Sequence, residues 1–97
     1  MPGMTFEMEV DNVIKVYEWE VKHPATRTRE MIKTHGEIEA LSRLMISADL
    51  QIGFKVLRDR GLIEMTFEAL VVRFKNLFRP DVVLAAQWRL DHAQELL

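Results

Sequence analysis

The sequence predicts an all-α fold: a compact bundle of five to six short helices in a single domain. Three observations predict it. Apolar side chains recur every three or four positions from Val10 through Ala93. The recurring segments are bracketed by helix punctuation: Thr26, Thr28, Ser47, Asp49 and Thr66 as caps, Gly36 and Gly61 as ends, Pro24 and Pro80 as boundaries. No pair of alternating segments is available to form a sheet. The 97 residues suffice for one thin core.

Residues 5–11, TFEMEVD, alternate apolar and acidic side chains. They read as an extended N-terminal arm over residues 1–9, or as the start of the helix that follows. From about Val10 to Lys22, the residues Val10, Val13, Ile14, Tyr17 and Val21 share one helix face. Pro24 stops that helix, because the residue before a proline is pushed out of the α region. A short second helix is expected over about Arg27 to His35, ending at Gly36. A third covers about Glu37 to Ile46, burying Ile38, Leu41, Leu44 and Met45.

The fourth is expected from about Ala48 to Arg60, with Leu50, Phe54 and Leu57 inward and Gly61 at its end. Gly53 inside it points to close approach of another helix or to simple tolerance. Thr66 caps a fifth, Phe67 to Phe78, with the strongest stripe in the chain: Phe67, Leu70, Val71, Phe74, Leu77 and Phe78. The last runs from Pro80 to about Glu95 and buries Val82, Val83, Ala86, Leu90 and Ala93.

Composition removes several functional classes. The chain has no cysteine, which excludes a disulfide framework, a thiolate metal site and a cysteine nucleophile. Its N-terminus is acidic and lacks the basic and apolar regions of a leader, and no apolar run approaches the ~20 residues of a membrane span. A cytoplasmic protein without membrane contact is expected. The net charge is -2, unevenly spread. Residues 1–21 carry one basic and five acidic side chains. Residues 22–79 carry eleven Lys or Arg against seven acids, and residues 80–97 one Arg against three. A basic middle permits polyanion contact. The plainer reading is that these charges solvate helix surfaces.

One local pattern points to a class of function. Between Ile38 and Ile63, Ala40 and Leu41 form a small-then-apolar step, and Leu44 and Ile46 flank a turn. Ser47 opens a helix that Leu50, Phe54 and Leu57 hold down, and Gly61-Leu62-Ile63 make an exit. This stretch resembles the helix-turn-helix segment of DNA-binding regulators. The resemblance implies a reading helix presenting Gln51, Lys55 and Arg58, with Arg43 and Lys33 as phosphate contacts.

Other chemistry finds little in the sequence. Glu20-Val21-Lys22-His23 has the Glu-x-x-His spacing of di-iron bundles, but no second copy exists. His35 precedes a helix end, where an imidazole suits the dipole, and His92 reads as a surface residue beside Asp91 and Glu95. No phosphate loop or nucleophile elbow is present. No catalytic residue, metal site, cofactor or small-molecule substrate is therefore expected.

The two tryptophans stand off the main apolar faces. Trp19 lies among Asn12, Lys15 and Lys22. Trp88 and Leu84 form a second stripe on the last helix, and Ile52 and Val56 sit off the fourth helix's main face. Either they are covered within the bundle, Trp19 by the N-terminal arm, or they form a partner surface. The sequence thus predicts a non-catalytic binding protein. It binds nucleic acid through Lys33, Arg43, Gln51, Lys55 and Arg58, or a protein partner or second copy through Trp19, Leu84 and Trp88.

Overall fold

A computed structural model describes residues 3–47 and 52–96. Within them the chain is all-α, as expected: six α-helices and two short 3₁₀ turns, with no strand among the described residues. The expected start of the fourth helix, including Asp49, Leu50 and Gln51, lies outside the described residues.

Helix α1 spans Phe6–Val21. Residues 6–9 are therefore helical, not an extended arm. The Thr5 hydroxyl accepts from the Met8 N–H at 3.2 Å, and Glu7 and Glu9 sit in the first turn, where acids favour the helix dipole. The apolar period also begins earlier than Val10: Phe6 joins Val10, Val13 and Ile14 on the buried face. The alternation in TFEMEVD is a helix face seen over too short a window. The helix ends ahead of Pro24, at Lys22, whose φ of 57° lets its N–H bond the Glu18 carbonyl.

Helix α2, Thr26–His35, contributes no fully buried residue. Charge moors it instead. Glu18 of α1 accepts from the Ala25 N–H at 2.7 Å. Its two oxygens also take the Arg29 fork, at 3.0 and 2.8 Å. Arg29 reaches Asp11 as well, at 3.1 Å. Gly36, at φ 82°, turns the chain into α3, Glu37–Ile46. There the buried face is Ala40, Leu41, Ser42 and Met45. Ile38 is exposed and Leu44 half-buried, so the face is rotated from the expected one.

Helix α4 is described over Ile52–Asp59, with Phe54 and Leu57 buried. It closes on the predicted glycine: Gly61 at φ 74° donates to Arg58 O at 3.1 Å, and Leu62 donates to Leu57 O at 2.8 Å. At Gly53, α1 passes close by, but a Cβ there would stand 3.5 Å from the Tyr17 ring, an ordinary contact. Close approach does not require this glycine.

Helix α5 covers Phe67–Arg73, shorter than expected. Thr66 caps it, accepting from the Ala69 N–H while its hydroxyl donates to Ile63 O. The helix breaks at Phe74, a 3₁₀ turn follows at Lys75–Leu77, and Phe78 is extended. With the chain turned there, Phe74 and Phe78 both meet the Phe6 ring edge-on, at 5.1 and 5.8 Å between centroids. Leu77 is left exposed. Helix α6, Pro80–Asp91, buries Val82, Ala86 and Arg89, with Ala93 buried just beyond. Val83 and Leu90 are only half-buried. It packs against α5 and α3, while α1 packs against α4 and α5.

The unexpected element of the core is ionic. Glu68 of α5 and Arg89 of α6 meet at 2.9 Å, with side chains 2% and 7% exposed. Arg89 also donates to Leu44 O at 3.3 Å and Ser47 O at 3.0 Å, two carbonyls at the end of α3. Burial pushes the Glu68 carboxyl up, and Arg89 opposes that shift.

Two stability predictions follow from these ties. Arg89→Met leaves Glu68 buried without its partner and strips two α3 carbonyls of a donor. It is expected to cost about 3–5 kcal/mol, a large share of the roughly 5–15 kcal/mol total for a domain this size. Glu68→Gln keeps an acceptor but leaves the buried Arg89 charge without its counter-ion, and is expected to cost about 3 kcal/mol. Urea unfolding measures both, and a loss below about 1 kcal/mol for Arg89→Met contradicts the assignment.

The second concerns acid. The Arg29 fork and the Ala25 N–H hold the Glu18 carboxyl at about 2, against an ordinary 4.5. Lys15 and then Arg29 hold Asp11 low too. A carboxyl depressed by folding stabilises above its unfolded pKa. Glu18's contribution is therefore complete above about 4.5 and is lost as the pH falls toward about 2. Glu68, pushed the other way, does not drive this loss. The acid limb of stability against pH becomes shallower in Glu18→Gln, and an unchanged limb argues against the clasp.

Candidate functional site

The described residues that the helix-turn-helix resemblance would gather are spread over α2, α3 and α4. Lys33 is exposed on α2. Arg43 is exposed on α3, with Glu39 one turn away at 3.9 Å. Lys55 is half-buried on α4, and Gln51 lies outside the described residues. Arg58 corrects the expectation most clearly. Its side chain is 9% exposed, and its guanidinium is held by Asp59 at 2.9 Å and by the carbonyls of Ala93, at 2.9 Å, and Leu96. It points inward and ties the end of α4 to the segment after α6. Packing differs as well: α3 rests chiefly on α2 and α6, and α4 on α1 and the turn after it. In a DNA-reading unit the first helix braces the second. Met45, where that family places its turn glycine, is a buried residue of α3.

Three cations of the basic middle of the chain are matched by acids of the first helix. Besides Arg29 with Asp11 and Glu18, Arg73 meets Glu9 at 2.8 Å, and Arg60 meets Glu20 at 3.2 Å. Each exposed pair contributes little, about 0–1 kcal/mol. Together they spend cations that the linear charge pattern left open to a polyanion.

The aromatic candidates stand differently. Trp19 is 71% exposed, with the Lys22 ammonium 3.8 Å above its ring. The proposed arm does not cover it, since residues 6–9 belong to α1 itself. On α6, Leu84 is 70% and Trp88 52% exposed, one turn apart. Ile52 is exposed too, and Val56 half-buried. The Trp88 ring stacks on His92 at 4.3 Å and 21°. His92 Nδ1 lies 2.8 Å from the Trp88 carbonyl, so it carries the donated proton. The indole is thus held in place on an open surface. Asp81 and Asp91 lie on the same helix, three residues before Leu84 and three after Trp88, and Glu95 follows in the turn beyond it. Arg79 lies 3.1 Å from Asp81 and holds its carboxyl below the usual range, and Gln87 donates to Asp91 at 2.8 Å.

Two hollows complete the surface. One, of about 510 Å³, is a shallow groove between the start of α1 and the α2–α3 corner, with Glu7, Glu37 and Glu39 around Ile38 and Leu77. The other, of about 410 Å³, lies between α1, α2, α4 and the start of α5. Neither was visible in the sequence, because each is assembled from distant segments. Among the described residues, no three His, Asp or Glu side chains gather as metal ligands would. No described helix is long and apolar enough to cross a membrane. Comparison with protein-family models, curated proteins and solved structures returns no match.

Arg58 supplies the test of these placements. Arg58→Ala is expected to cost about 2 kcal/mol and to raise amide exchange across residues 92–96, because the carbonyls of Ala93 and Leu96 lose their donor. Unchanged exchange there would mean that the guanidinium is not so engaged.

Proposed function

We propose that this chain is a protein-binding module, and that the outer face of α6 receives an apolar protein segment flanked by Lys or Arg. One observation carries the reading: Leu84 and Trp88 stand exposed one turn apart on a helix whose opposite face is fully packed. Single exposed apolar residues are ordinary. A tryptophan held by a stacked neighbour beside an exposed leucine is the kind of rigid anchor on which interface energy concentrates. The surrounding acids select the partner's charge. They also disfavour a second copy on this face. Antiparallel pairing of two α6 helices sets Asp81 of one against Asp91 and Glu95 of the other.

The test uses a photocrosslinking residue at position 84 in the full chain. A discrete heteromeric adduct is expected. It should be lost in Trp88→Ala, where binding weakens roughly 30-fold or more, and it should be reduced by raised salt. Light scattering should find the protein alone monomeric. Adducts indifferent to Trp88 reject the reading. Self-association lost in Trp88→Ala replaces the partner with a second copy. Duplex DNA binding at low salt that Lys33→Glu with Lys55→Glu abolishes restores the nucleic-acid reading.

A further inference from the structure

We infer that the 410 Å³ cavity between α1, α2, α4 and the start of α5 is a binding site for a small apolar carboxylate, with its tail inside and its carboxylate at the mouth. The volume falls within the range of small-molecule sites. The two ends of the cavity differ in chemistry. Its inner wall includes Ile14, Phe54 and Leu57, all buried, with the Tyr17 ring alongside. The two fully buried polar side chains at that end, Thr66 and Glu68, both have partners. Thr66 donates to Ile63 O and accepts from Ala69 N, and Glu68 accepts from Arg89. The interior therefore offers a ligand apolar contact, with no buried side-chain polar atom left unanswered among the described residues. An apolar wall of this kind favours an apolar guest.

The mouth is the opposite. Thr26, Arg27 and Thr28 line it from the first turn of α2. Thr26 and Arg27 are exposed and Thr28 half-buried, and none has a side-chain partner among the described residues. The nearby cation Arg29 is engaged by Glu18 and Asp11, and His23 Nδ1 is spent on Pro24 O. Arg27 is thus the open charge at the rim, flanked by two free hydroxyl donors. An apolar interior under a cationic, donor-rich rim fits an anionic head on an unbranched or aryl tail. A tail of roughly eight to ten carbons suits a site of this size. This site is separate from the α6 face and does not depend on it.

The experiment titrates the intact protein by calorimetry with hexanoate, octanoate, decanoate and 1-decanol, each below its aggregation threshold. One-to-one binding is expected to tighten roughly tenfold for each two methylenes, with decanoate preferred over decanol. Arg27→Glu is expected to weaken decanoate about tenfold or more and to leave decanol unchanged. Thr28→Phe, which fills the cavity from the rim, should remove both. Arg27 is exposed and unpartnered, so its substitution keeps the test sound even where Thr28→Phe fails to fold. No saturable binding of any probe overturns the proposal. So does decanol matching decanoate, or decanoate indifferent to Arg27→Glu.

Discussion

The Glu68–Arg89 pair is the constraint on which the arrangement of helices depends. Burying two charges is expensive, and apolar replacements of similar size often give equal or greater stability. The pair is better understood by what it aligns. A guanidinium offers five donors in a fixed fork. Here the fork is answered by a carboxylate from α5 and by two carbonyls at the end of α3. Sliding α6 by one turn, about 5.4 Å, strands the guanidinium away from all three. Aliphatic packing alone tolerates such a slip far better, because Val and Ala stripes look alike one turn along. Three helices are thereby held in one register by a side chain that looks, in sequence, like an ordinary surface arginine.

Charge also decides where α1 and α2 lie. Helix α2 has no fully buried residue, so hydrophobic burial cannot hold it alone. Glu18 serves as both its N-terminal acceptor and its anchor, since one carboxylate receives the Ala25 N–H and the Arg29 fork. The acidic first segment and the basic middle segment are thus complementary halves of one folded object.

The six helices were legible because their caps and periods agreed with one another. Thr66, Gly36, Gly61 and Pro80 each stand where the structure ends or begins an element. Three errors have physical causes. Residues 6–9 alternated only because an exposed Met8 falls between Phe6 and Val10, which share the buried helix face; the Thr5 cap was the signal that distinguished them. The fifth stripe continued to Phe78, yet the backbone turns at Phe74. Both phenylalanines pack on Phe6, so apolar spacing survived a break in the helix. Arg58 was placed outward by periodicity. A long side chain can reach carbonyls of the chain's last residues from a position whose Cβ faces partly out, and no local pattern encodes that. The buried pair did leave a trace. Val82, Ala86, Arg89 and Ala93 repeat at spacings of four, three and four, with a charge at one inward position.

The same helix explains why Trp88, and not Trp19, carries the proposal of a partner anchor. At 100° per residue, Val82, Ala86 and Arg89 fall within about 60° of one another, and Leu84 and Trp88 lie on the far side. The inner face is locked by the core and its ion pair, so the outer face is presented without freedom to rotate. Binding to such a surface loses little conformational entropy. Trp19 is as exposed, but its helical neighbours are Lys15 and Lys22, and the Lys22 ammonium already covers the ring. That indole has a local reason to sit in water. Trp88 has Leu84 one turn before it and His92 stacked one turn after it. An apolar pair with its orientation fixed on a rigid helix leaves apolar surface in water, and that exposed surface is what the proposed partner would cover.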